Sequence, residues 1–123
     1  MRLAVFALAL IAGCGPDARL VFAEDTARRS GAALTEIETS GGDDAELAPL
    51  LERAHTRLSQ IEHSIALWHD HGGPMSYRVH APCLRSALVA LRDALAARGR
   101  TIPTDLDTVD AMLAEVATHE CAP

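Results

Sequence analysis

Leu47 to His71 reads LAPLLERAHTRLSQIEHSIALWHDH, and this stretch decides the fold. Leu47, Leu51, Ala54, Leu58, Ile61, Ile65 and Trp68 recur at alternating spacings of four and three. An α-helix turns once per about 3.6 residues, so this spacing draws one narrow apolar seam down a single face. Asp43, with Glu46 three residues on, has the spacing of a capping box. Pro49 is tolerated only in a first turn, so the regular helix is expected to begin near Ala48. Gly72-Gly73-Pro74 should stop it by His71.

The same period extends to both sides. Leu20, Ala23, Ala27, Ser30, Leu34 and Ile37 place a helix over Leu20 to Thr39. Gly31 weakens it by about 1 kcal/mol against Ala, and Ser40-Gly41-Gly42 breaks it. The third helix is expected to start at Pro82, in the favoured first position. It uses Leu84, Ala87, Leu88, Leu91 and Leu95 and ends at Gly99. Pro103 and Thr104 announce a fourth, with Asp107 placed to return the cap and a seam of Leu106, Val109, Leu113 and Val116. Asp105 and Asp107 in its first turn suit the positive end of the helix dipole. Short loops make successive helices antiparallel neighbours. The expectation is an all-α, up-down bundle of three to four antiparallel helices, one domain over residues 20–123.

Aromatic residues make up only 3% of the chain. A core drawn from Leu, Ala, Val and Ile fits helices better than a β-sandwich.

The N-terminus carries a different signal. Arg2 supplies a positive charge, Leu3 to Ile11 is an unbroken apolar run, and Ile11-Ala12-Gly13-Cys14 closes it. Charge, short apolar segment and small residues, in that order, form an export signal. The run falls short of the roughly 20 apolar residues that span a bilayer. Ile11-Ala12-Gly13-Cys14 resembles the lipobox of bacterial lipoproteins. The resemblance implies cleavage before Cys14, lipidation of its thiol, and residues 14–19 as a tether to the bilayer. In Gram-negative lipoproteins an Asp after the Cys favours the inner membrane. Gly15 stands there instead, which points to the periplasmic side of the outer membrane. The rival reading is an ordinary secretory signal cut after Val21-Phe22-Ala23, but Asp17 and Arg19 would then sit between apolar run and cut.

Loss of residues 1–13 removes Arg2 from 11 basic residues against 17 acidic ones, leaving a charge of −7. That argues against nucleic acid and against an electrostatic hold on anionic lipid. With Cys14 acylated, Cys83 and Cys121 remain as a pair in an oxidising compartment. Cys83 lies 17 residues before Arg100, where the last two helices turn, and Cys121 lies 21 after it. In an antiparallel pair both thiols reach similar height, which permits a disulfide. Reduced, they would instead be candidate metal thiolates.

The same layout gathers four of the six histidines at one pole. His69 and His71 close the second helix, His80 precedes the third, and His119 falls in the last turn of the fourth, with Met75 and Tyr77 in the connecting loop. Imidazole favours zinc and copper, and a thioether favours Cu(I), so His69, His71, His80, His119 and Met75 are candidate ligands. The plainer reading is that histidines near helix C-termini interact with the dipole and hold no metal.

Catalytic constellations are not evident. Glu52 and His55 form one Glu-x-x-His step, but di-iron bundles need two, plus a Glu from each other helix. No Cys-x-x-Cys-His, nucleophile elbow or phosphate loop occurs. The sequence therefore points to a non-enzymatic binding or scaffolding module at the cell envelope, with an envelope protein as candidate partner. The alternative is a lipoprotein that binds copper or zinc.

Overall fold

The computed structural model describes residues 17–41 and 44–122. Among them the chain forms four helices and no strand. These are α1 (Ala18–Gly41), α2 (Ala48–His71), α3 (Met75–Ala97) and α4 (Thr104–Ala114). They pack as a ring, α1 on α2, α2 on α3, α3 on α4 and α4 back on α1, while the diagonal pairs stay apart. This is the up-down bundle that the periodicity predicts. The α2 seam is buried along its length, with Leu47, Ala54 and Ile61 wholly inside. Leu34 and Ile37 of α1, Leu84, Leu91 and Leu95 of α3, and Leu106, Val109 and Leu113 of α4 complete the core. Each large aliphatic side chain removed from water contributes about 1.5–3 kcal/mol, and this set holds the helices together.

Glycine makes the turns where the backbone becomes left-handed. Gly72, at φ 75°, ends α2 and donates its N–H to the Trp68 carbonyl at 2.7 Å. Gly99, at φ 65°, ends α3. There the N–H groups of Arg100 and Gly99 reach the carbonyls of Leu95 and Ala96, each at 3.0 Å. That pairing is a Schellman motif, and it satisfies carbonyls the helix end would leave open. Ahead of α2, Asp44 Oδ1 accepts the Glu46 N–H at 3.0 Å. Asp43, the expected capping residue, lies outside the described residues.

Two boundaries and one cap differ from the sequence reading. Helix α3 begins at Met75 rather than Pro82, which is buried inside it. An interior proline costs about 3 kcal/mol. Two further turns bury Tyr77 and Ala81 against the bundle, and this burial offsets the penalty. Met75, Tyr77 and His80 are therefore helical residues. Helix α4 stops at Ala114, so His119 lies in the tail beyond it. No basic residue supports the last turn of α4. Acidic Glu115 and β-branched Val116 and Thr118 follow, which disfavour continuation. Nor does Asp107 return a cap, because no side chain caps the start of α4.

The tail turns back along α3, and a disulfide joins Cys121 to Cys83 with Cα atoms 4.6 Å apart. Arg85–Asp110 and Arg92–Asp107, each at 2.9 Å, run between α3 and α4, and Arg29–Asp105 at 3.4 Å joins α1 to α4. These exposed pairs set register more than stability. At the pole where α3 turns into α4, Arg98 donates to Asp44 Oδ2 at 2.7 Å and also pairs with Glu46. It fastens the α1–α2 connection to the end of α3.

Candidate functional site

The opposite pole holds the start of α1, the end of α2, the start of α3 and the end of α4. A cleft of about 300 Å³ opens there. Helix α1 contributes Ala18, Arg19 and Phe22, and α2 contributes Trp68. Pro74, Tyr77 and Arg78 come from the start of α3, and Glu115 and Val116 from the turn after α4. The floor is aromatic: the Trp68 and Tyr77 rings lie 5.9 Å apart, tilted by 47°. Both rings are buried, and they are the only Trp and Tyr of the chain.

The rim is charged. The Arg19 guanidinium sits 5.9 Å from the centre of the Trp68 ring, a cation–π distance. Arg19 also donates to Asp17 Oδ2 at 2.9 Å. That side-chain hydrogen bond, helped by the Arg19 backbone N–H, holds the exposed Asp17 carboxyl below its ordinary range. Arg78 and Glu115 are exposed on the other side of the mouth. Beneath the floor, the Tyr77 hydroxyl is buried without a hydrogen bond of ordinary geometry. Burial pushes its pKa up, and the neighbouring Thr26 hydroxyl offsets part of that. Thr26 commits its own proton to the Phe22 carbonyl at 2.8 Å. Such a site can hold an apolar or aromatic group, with a cation at its edge for a polar head. It presents no nucleophile–base pair.

The expected ligand residues are distributed differently. His69 Nε2 lies 3.5 Å from Glu24 Oε1, on the α1–α2 side. His71 closes α2. His80 is half-buried on α3, and Met75 is 74% exposed. His119 lies in a shallow groove beside Pro82, Arg85 and Cys121, on the outer side of α3. Among the described residues, no three His, Cys, Asp or Glu side chains are grouped so that they could hold a metal ion. His55 pairs with Glu38 across α1 and α2. Cys14 lies outside the described residues. None of the helices described is long and apolar enough to cross a membrane. The sequence reading placed Trp68 in the core and Tyr77 in a loop, and so missed the cleft they floor. Arg19, Phe22 and Arg78 carry no signal that would have marked them.

Comparison of the chain with protein-family models, with curated proteins and with solved structures finds no match.

Proposed function

We propose that this chain is an exported bacterial lipoprotein: a non-enzymatic, four-helix binding module held at the cell envelope by an acylated Cys14. Its ligand site is the cleft at the tethered pole. The observation that carries this reading is the aromatic-floored cleft at the point where the chain enters the bundle. Asp17, next to the cleft-lining Ala18, stands only three residues after Cys14. A cleft of this volume lies at the lower end of small-molecule sites, and its apolar floor with a charged rim matches their usual make-up. Bacterial lipoproteins carry two or three acyl chains, and more than one chain makes such an anchor stable.

The full chain, extracted from membranes of a bacterial host, tests both halves. Mass spectrometry should find a chain beginning at Cys14 with a lipid adduct. Trp68 fluorescence should shift saturably, at one equivalent, on titration with anilinonaphthalene sulfonate, an aromatic probe with an anionic head. Ala18→Phe, at an exposed position, should obstruct the mouth and weaken the probe at least tenfold. A chain with an unmodified Cys14 thiol would overturn the anchor. Probe binding indifferent to Ala18→Phe would overturn the cleft as the site.

A further inference from the structure

Among the described residues, four large apolar side chains stand exposed: Val21, Met75, Val79 and Val89. Three of them share the tethered pole. Met75 opens α3 and Val79 follows four residues later, while Val21 is the fourth residue of α1. At about 1.5 Å of rise per residue, all three lie within roughly 6 Å of that end of the bundle. The cleft opens at this same pole, lined in part by Phe22 of α1 and Arg78 of α3, while the exposed apolar side chains stand outside it on those two helices. The other pole is unlike it, closed by the Arg98 bridge to Asp44 and Glu46.

We infer that the tethered pole rests in the interfacial layer of the bilayer, inserting Val21, Met75 and Val79 at the end of the bundle that holds the cleft. This rests on Cys14 being acylated. Three residues of extended chain reach at most about 11 Å, whereas α1 alone is about 36 Å long. An anchor at Cys14 therefore brings this pole, and not the Arg98 pole, to the lipid. The depth of the three side chains matches the roughly 5–10 Å to which interfacial helices bury their apolar faces. With 17 acidic residues in the chain, contact of this kind is apolar insertion rather than attraction to anionic headgroups. The cleft then opens toward the acyl layer, and its ligands reach it from the membrane.

The test uses the lipidated full chain in phosphatidylcholine vesicles whose lipids are brominated high on the acyl chain. Trp68, the only tryptophan, reports from this pole. Its fluorescence should be quenched at least twofold. A V21S/M75S/V79S chain changes only exposed positions and should lose most of that quenching while remaining vesicle-bound. A W68F/T101W chain, which moves the reporter to the far turn, should show none. Equal quenching at both poles, or quenching unaffected by the triple substitution, would overturn the inference and leave the anchor standing. Absence of lipid on Cys14 by mass spectrometry would remove the anchor itself, and the inference with it.

Discussion

Removal of the Cys83–Cys121 bond has a stability cost that the chain topology sets. The two residues are 38 apart in sequence. In the chain-entropy model, closing a loop of that size takes about 13 cal/mol/K from the unfolded ensemble, or about 4 kcal/mol at 25 °C. Part of this is returned, because the segment the bond restrains is thinly held. Beyond Ala114, only Val116 packs against the core as a partly buried hydrophobic residue. The tail's backbone bonds there are few, among them Ala117 N–H to Leu113 O at 2.8 Å. A reduced native chain would loosen this tail and regain part of its conformational entropy, which offsets up to about half of that figure. The expected loss is therefore about 2–4 kcal/mol. At urea slopes of about 1–3 kcal/mol/M, the unfolding midpoint should fall by about 0.7–4 M. Circular dichroism with and without reductant measures this, and a Cys83→Ala/Cys121→Ala chain should match the reduced protein. Alanine is the right replacement, since Cys83 is buried and a serine there would strand a hydroxyl. Hydrogen exchange should show lost protection confined to residues 115–122. A midpoint shift below about 0.3 M, or protection lost equally through α2 and α3, would refute the reasoning.

Gly31→Ala should stabilise the bundle by about 1 kcal/mol, read as a raised urea midpoint. The added Cβ would meet only Leu58 Cδ2, at 3.8 Å, an ordinary contact in the α1–α2 groove. Tyr77→Phe should hold or raise stability by up to about 1 kcal/mol, because the hydroxyl it removes is buried without a formed bond. The raised phenol pKa of the folded chain gives a stability contribution that is complete below the unfolded value of about 10 and lost as pH rises through the folded one. Phenolate absorbance and urea midpoints should therefore show alkaline destabilisation in the parent that is reduced in Tyr77→Phe. Asp44→Ala removes the acceptor for Glu46 N–H and the partner of Arg98, and should lower the unfolding free energy by about 1–2 kcal/mol.

Where the sequence was legible, one physical signal dominated. The four-three spacing from Leu47 to Trp68 survives any neighbourhood, because burying it is the largest favourable term in the region. It fixed α2 from Ala48 to His71, as observed. Spacing of the same kind runs through Tyr77, Ala81, Leu84, Leu88, Leu91 and Leu95, and it would have started α3 correctly. Proline's preference for a helix's first position points to Pro82 instead, but tertiary burial routinely exceeds the roughly 3 kcal/mol that an interior proline costs. The end of α4 departs in the opposite sense. Val116 continues the apolar spacing, yet the turn holding it is not helical. The disulfide followed from counting residues about a turn, because that count depends on topology alone. The histidine grouping depended on angular position as well, which a count of heights along the bundle does not give. His69 faces α1, while His119 lies against α3. The cleft was illegible for a related reason: its lining comes from four chain segments, and only their packing brings Phe22, Trp68, Tyr77 and Val116 together.

The two ends of the bundle differ in how their polar groups are spent. At the Arg98 pole the charges face inward across connections, and Arg98 and Arg100 both approach Asp44. Arg98 and Asp44 are three-quarters buried there, so the pair is spent on holding the connection. At the other pole the aromatic rings that could have sealed the core leave a cleft, and one phenol hydroxyl is left without a formed bond. Stability alone would favour filling that volume, since unfilled apolar space forfeits packing and an unpaired buried hydroxyl costs about 1–3 kcal/mol. A bundle with a well-filled seam elsewhere tolerates such a defect where it has a use. The chain enters the fold beside this opening, three residues after Cys14, which is where a membrane-tethered binding module would present one.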